Sequence, residues 1–274
     1  MAKFTHDGIE FNYVDIGTGL PFVFEHGLGA DSNQVLEAYR ADVDVRLISL
    51  DCRGHGGTVP LGSEDGLSIN TYVEDLVALL DHLGIYVAVV GGISMGAALA
   101  LRFAIAHPER LAGLVLTRLS VLNDPWPPHL MIFGRMGSLI HSYGAELALP
   151  IFEQDADFLA LSAGNPYTAE ALTGQFLAPR AEEAVERLVR IPGQTSFDSW
   201  EQLRRISAPT LVMASELDPI HPFDYGTAVA HEIPRGRFLP LVPKTTDAIA
   251  HLLELQANLS VFLAEVNQLL LAAG

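Results

Sequence analysis

Six short stretches of the chain are apolar without alternating: PFVFEH (21–26), VRLISLD (45–51), VAVVGGI (87–93), LAGLVLT (111–117), TLVMAS (210–215) and RFLPLV (237–242). Continuous β-branched and aliphatic runs of this length predict strands covered on both faces. Two earlier runs, AKFTH and IEFNYVDI, flank Asp7-Gly8 and predict a hairpin. Between the buried runs the period changes. INTYVEDLVALLDHLG (69–84) places Tyr72, Val73, Leu76, Leu79, Leu80 and Leu83 at the 3–4 spacing of an amphipathic helix that stops at Gly84. MGAALALRFAIAHPE (95–109) predicts a small-residue helix ending before Pro108, where alanines allow close approach to a sheet. Strand and helix alternate, so the expected class is α/β with a mostly parallel, doubly wound sheet.

The alternation fails from about Leu119 to Ser207. NDPWPPHLMIFGRMGSLIHSYG, FEQDADFLALSAG and AEEAVERLVRIPG read as helices separated by Pro and Gly, and strands resume at Thr210. Because both ends of such an insertion must return to neighbouring strands, it predicts a helical cap over residues 121–207 laid on a core made of 1–120 and 208–274.

Composition narrows the classes. With 274 residues, 49% of them hydrophobic, the chain can bury a sizeable core. No unbroken apolar run reaches the roughly 18 residues that cross a bilayer, and MAKFTHDGIEFNYVDIG lacks the basic-then-apolar pattern of a signal peptide. A single cysteine, Cys52, excludes an internal disulfide and suits a reducing compartment. The expected location is cytoplasmic. The formal charge of −17 argues against nucleic acid or an anionic membrane as partner. It serves solubility and says nothing of the substrate. The sequence holds no pattern that specifies an oligomeric state.

The most informative stretch is VAVVGGISMGAALAL (87–101), in which Gly92, Ser94 and Gly96 form G-x-S-x-G between a buried strand and a helix. A serine on such a sharp turn exposes its hydroxyl, glycine two positions to either side leaves room for the turn, and the helix N-terminus favours a developing anion. EHGLG (25–29) follows the first core strand and DCRGHGGT (51–58) the next. With these three motifs in this order, the chain resembles the α/β-hydrolase superfamily over nearly its whole length, the helical insertion falling where that family carries its cap.

The resemblance implies Ser94 as nucleophile and the backbone N–H groups of Leu28 and Met95 as the oxyanion hole. It gives His26 and His55 the role of loop braces, and Cys52 is expected to be packed rather than reactive. The order nucleophile, acid, histidine then points to Asp218 in PTLVMASELDPIHP (209–222), with Glu216 and Asp224 nearby as competitors. For the base, the family's usual spacing beyond the acid lands on Thr246, not on a histidine. His251 lies five residues further, preceded by Ala250 rather than Gly. In one register KTTDA is an insertion and His251 is the base; in the other, His251 rides the final helix. Thr245-Thr246-Asp247 would cap a helix starting at Ala248 and put His251 in its first turns. His221 is the remaining candidate, disfavoured by Pro219, Pro222 and its closeness to Asp218. The favoured triad is Ser94, Asp218 and His251.

No H-E-x-x-H, C-x-x-C or G-x-x-x-x-G-K-[ST] pattern occurs, so neither metal nor cofactor is expected. Trp126, Met131, Phe133, Met136, Tyr143, Phe152, Phe158, Tyr167 and Phe176 supply cap packing and an apolar acyl or alcohol pocket. Arg118, Arg135 and Arg180 are candidate carboxylate anchors. The expected partner is a small-molecule ester or lactone, cleaved through an acyl-enzyme. The alternatives are C–C hydrolysis or perhydrolysis on the same triad, or a silent ligand-binding member of the fold.

Overall fold

The computed structural model describes residues 1–40 and 44–273. Its eight strands are β1 (Ala2–His6), β2 (Ile9–Gly17), β3 (Leu20–Glu25), β4 (Val45–Leu50), β5 (Ala88–Ile93), β6 (Leu111–Thr117), β7 (Thr210–Ala214) and β8 (Gly236–Pro240). They form one sheet in the order β1-β2-β4-β3-β5-β6-β7-β8. The pairs β1–β2 and β2–β4 are antiparallel, and every other pair is parallel. The hairpin about Asp7-Gly8 and the doubly wound sheet are as the pattern predicts. β5 is central and buried along its entire length, which is why its sequence shows no alternation.

The helices are α1 (Ser32–Ala38), α2 (Ile69–His82), α3 (Met95–Ala106), α4 (Met131–Tyr143), α5 (Ala145–Phe152), α6 (Ala156–Ser162), α7 (Pro166–Leu177), α8 (Glu186–Arg190), α9 (Trp200–Arg204), α10 (Phe223–Glu232) and α11 (Ala248–Ala273). One apolar layer joins Leu76, Leu79 and Leu80 of α2, Ala97, Leu101 and Phe103 of α3, and Val229 of α10 to one face of the sheet. The other joins Val35 and Ala38 of α1 and Leu255, Leu259, Phe262, Leu263 and Val266 of α11 to Phe22, Phe24, Leu47 and Val115. Short α1 and α10 do not stand out in the sequence. Seven residues give too little periodicity to read, and α1 is set by Asp31, whose carboxylate accepts the Asn33 N–H.

α11 qualifies the bilayer expectation. It is long and apolar enough, by length and composition, to cross a membrane. Its residues 255, 259, 262, 263 and 266 nevertheless form a buried stripe on the sheet, each large side chain contributing about 1.5–3 kcal/mol. The helix begins at Ala248, with the Asp247 carboxylate accepting the N–H groups of Ile249 and Ala250, as the capping pattern predicts.

Between β6 and β7 the described residues form helices and no strand. Phe133, Met136, Ile140, Phe152, Phe158, Leu172, Phe176 and Leu188 are buried in the same cluster as α3, so these helices share the core of the sheet instead of closing a separate one. Of the aromatic and methionine residues singled out there, Trp126, Met131, Tyr143 and Tyr167 stay exposed. The segment is returned to the sheet by Arg102, which donates to the Asp198 carboxylate and the Thr195 carbonyl, and by the Ser196 N–H on the Leu122 carbonyl.

Candidate active site

The turn from β5 into α3 is held against β6: the Ser94 N–H donates to the Thr117 carbonyl (3.0 Å), and Thr117 Oγ1 donates to the Gly92 carbonyl (2.8 Å). Ser94 sits at φ 58°, ψ −111°, a strained conformation for a non-glycine residue. A Cβ on Gly92 would collide with the Gly96 backbone, and one on Gly96 with the Glu25 carbonyl. Both glycines are therefore required by the close passage of β3, β5 and α3. The elbow leaves Ser94 half-buried while its neighbours are fully buried.

Ser94 Oγ lies 2.9 Å from Nε2 of His221, and Nδ1 of His221 lies 2.9 Å from both carboxylate oxygens of Asp218. The favoured histidine is elsewhere. His251 Nδ1 donates to the Val242 carbonyl at 2.7 Å, and among the described residues it has no hydrogen bond to Ser94 or Asp218. The structure thus pairs Ser94 with His221, the candidate disfavoured in the sequence by Pro219, Pro222 and its closeness to Asp218. The reason is local. Asp218 Oδ1 accepts the Ile220 N–H (3.2 Å), so the acid's own side chain folds the DPIHP loop into a turn. That turn brings His221 alongside the carboxylate three residues earlier. Leu217, at φ 62°, starts the reversal.

Asp218 is also bound by Arg118, whose Nε and Nη2 both lie 2.9 Å from Oδ2. Burial opposes the charge on Asp218, but His221 and Arg118 outweigh it and hold the carboxyl well below the usual carboxylate range. The His221 pKa is lowered too, which for an imidazole favours the neutral form. Burial lowers its pKa more than Asp218 raises it, and the Arg118 charge adds to the depression. The ring is then neutral at pH 7. With Nδ1–H on Asp218, Nε2 is left to accept the serine proton.

Leu28 and Met95 line one cavity with Ser94, together with Ser120, Val121, Leu130, Phe133, Ile191 and Pro192. Met95 opens α3, so its N–H belongs to the unpaired first turn. The loop carrying Leu28 is pinned twice. The Gly27 N–H donates to Gln34 Oε1 (2.8 Å), and Gln175 Nε2 of α7 donates to the Leu28 carbonyl (3.2 Å). The Gly27–Leu28 peptide, which carries the Leu28 N–H, is held by His26 Nδ1 on the Gly27 carbonyl (2.8 Å), and the peptide after it by Gln175. Gln34, Ser120 and Gln175 carry no motif and were invisible in the sequence; only their fold neighbours reveal them.

His26 donates from Nδ1 to the Gly27 carbonyl and accepts the Cys52 N–H at Nε2, while His55 Nδ1 donates to the Arg53 carbonyl. Burial holds both rings below the ordinary imidazole value. Asp51 ties their loop to the hairpin by accepting from Ser32, Gly57 and Asn12. Donor atoms of Glu25, His26 and Cys52 lie within 4.8 Å of one another. As a metal set they are poor: both His26 nitrogens are engaged, and burial pushes the Cys52 thiol up. Of the three arginines singled out, Arg135 pairs with Asp155 and Arg180 with Glu183, so Arg118 alone reaches the Ser94 cleft.

The sequence profile of the alpha/beta hydrolase family matches residues 22–255. The non-heme chloroperoxidase CPO-A1 of Kitasatospora aureofaciens is 29% identical over 237 residues, which are 80% of this chain and 82% of that protein. Among solved structures, a thermophilic esterase from Thermogutta terrifontis superposes with a TM-score of 0.69 at 24% identity, covering 97% of both chains. The enol-lactonase from Burkholderia xenovorans LB400 does so with a TM-score of 0.68 at 20% identity, covering 91% of this chain and 96% of the other. At such identities the two superpositions speak for a shared fold.

Proposed function

Since the chain belongs to the alpha/beta hydrolase family, we propose that it is a serine hydrolase of small carboxylic esters or lactones, with Ser94 as nucleophile, His221 as base and Asp218 as its orienting acid. The observation that carries this reading is the unbroken line of 2.9 Å contacts from Ser94 Oγ through the imidazole to the carboxylate. A serine hydroxyl needs such a base to react at neutral pH, and the base needs its tautomer fixed. His251, the base that the sequence favoured, is not part of the reading.

Ser94 Oγ attacks the substrate carbonyl carbon while its proton passes to His221 Nε2. The carbonyl oxygen becomes an oxyanion facing the N–H groups of Leu28 and Met95. Collapse breaks the bond to the alcohol oxygen, which leaves with the proton from His221, and the acyl group remains on Ser94. His221 then takes a proton from water, the hydroxide adds to the acyl carbon, and the carboxylic acid departs as Ser94 recovers its proton. In this scheme the helices of residues 121–207 act as the cap: Leu130, Phe133, Ile191 and Pro192 roof the apolar side of the cleft and exclude water there. The experiment is hydrolysis of a p-nitrophenyl ester and lactone panel by the parent and by Ser94→Ala. Retention of the parent rate in the variant overturns the proposal.

One observation favours a second reading, the similarity to a chloroperoxidase. Hydrogen peroxide in place of water at the acyl-enzyme would release a peracid and free Ser94. Peracid formation from acetate and peroxide, absent in Ser94→Ala, would support it.

A further inference from the structure

Beside Arg118, between α11, α1 and Tyr167 of α7, lies a cavity of about 280 Å³. It is walled by Leu241, Leu252, Leu255 and Ala248, and it shares Gln34, Ile93 and Arg118 with the cleft that holds Ser94 and His221. The two spaces therefore adjoin across these three residues. The polar groups facing the larger one are mostly donors without acceptors. Lys244 is half-buried and has no ion pair or hydrogen bond among the described residues. Arg118 spends Nε and Nη2 on Asp218, leaving Nη1. Gln34 spends its oxygen on Gly27, leaving its NH2 group. His251, turned by its bond to the Val242 carbonyl, closes the wall.

This placement is unusual for the chain. The sequence has two lysines, Lys3 and Lys244, in a protein of charge −17. Lys3 is exposed and paired with Glu10, whereas Lys244 is carried into a pocket without a partner. The one carboxylate in the lining, Glu37, is exposed at the rim, as is Glu170 nearby. Burial pushes the Lys244 pKa down and the Arg118 charge adds to it, outweighing the opposing charges of Asp218, Glu170 and Glu37; Asp218 is itself held by Arg118 and His221, so Lys244 has no carboxylate bonded to it. A half-buried ammonium beside an open cavity, with further donors aimed the same way, is the chemistry of an anion site.

We propose that this cavity receives a carboxylate carried by the substrate, so that the scissile ester lies at Ser94 and the anionic end reaches Lys244 and Arg118. The proposal rests on the hydrolase reading and names its substrate class: esters or lactones bearing a carboxylate on the acyl or the alcohol part, with the apolar remainder under Leu130 and Phe133.

The test compares matched pairs: the p-nitrophenyl hemiester of adipate against its methyl ester, and acetyl-4-hydroxybenzoate against its methyl ester. Each is assayed with the parent and with Lys244→Gln. One charge-assisted hydrogen bond supports a preference on the order of tenfold or more in kcat/KM for the charged member of at least one pair, and Lys244→Gln should remove it. The general negative charge of the protein disfavours that preference, so steering cannot produce it. A merely structural lysine would lower both members equally. Equal rates for charged and neutral members in the parent, or an equal loss for both in Lys244→Gln, overturn the proposal. If no ester is cleaved, the hydrolase reading fails instead, and calorimetric titration with adipate then decides the pocket. Heat of binding that is lost in Lys244→Gln supports an anion site, and no heat with the parent overturns it.

Discussion

Replacing His221 with alanine removes the acceptor placed 2.9 Å from Ser94 Oγ along the line to Asp218, and it leaves His251 in place. A positioned general base contributes roughly 10²–10⁴ in rate, equivalent to about 3–5 kcal/mol of barrier. The fold should tolerate the change, because Asp218 keeps both contacts with Arg118 and its charge stays paired. The assay is the rate of labelling by a fluorophosphonate probe, followed by intact mass, with thermal unfolding to verify that each variant is folded. Labelling should vanish in Ser94→Ala and slow by about 10² or more in His221→Ala. In His251→Ala the probe, which carries no carboxylate, should lose less than about tenfold, a modest cavity effect. The reasoning is refuted if His251→Ala labels as poorly as Ser94→Ala while His221→Ala keeps the parent rate. The proton path would then run through α11.

Three further outcomes follow from the electrostatics. Because burial holds the His221 pKa below the ordinary imidazole value, kcat/KM should rise with pH to a plateau, its midpoint below about 6.5; a midpoint at 7 or above contradicts the assignment. Arg118 helps depress that pKa, so Arg118→Met should move the acidic limb to higher pH, and a downward move would show that the charge acts otherwise. Glu25 is buried and raised from 4.5 to about 8, so the folded state keeps a proton that the unfolded chain releases. Stability should fall as pH rises through that interval, by up to about 5 kcal/mol at about 1.36 kcal/mol per pH unit. In denaturant unfolding at pH 6 and pH 9, Glu25→Gln should flatten the fall, and parallel curves for parent and variant would sink the idea.

The sheet was legible because buried parallel strands write themselves as unbroken apolar runs, and β5 with Gly92, Ser94 and Gly96 declares its elbow through residues that the close passage of β3 and α3 demands. Asp218 was legible as the carboxylate beyond β7. Which histidine meets Ser94 was not, because two competed and the deciding interaction is a side-chain turn: Asp218 accepting the Ile220 N–H. Sequence spacing measures distance along the chain, and a turn of this kind makes three residues a short path in space. Pro219 and Pro222, counted against His221, restrict the loop and are compatible with that turn. Gln34, Gln175 and Lys244 lay beyond reading altogether, since their meaning comes from surfaces contributed by α1, α7 and the segment after β8.

Placing base and acid on one loop changes what the rest of the protein is needed for. When three elements each supply a reactive group, catalysis depends on two long-range registrations, and a shift of any element is felt. On the proposed triad the proton-handling half is a five-residue cassette after β7, its members tethered at small entropic cost, and one registration with the elbow completes it. On that proposal the stretch from β8 into α11 takes no part in proton transfer. Its residues can be exchanged to recognise different molecules while the reactive apparatus stays as it is, and the DPIHP turn becomes a unit that could be transplanted into a related scaffold.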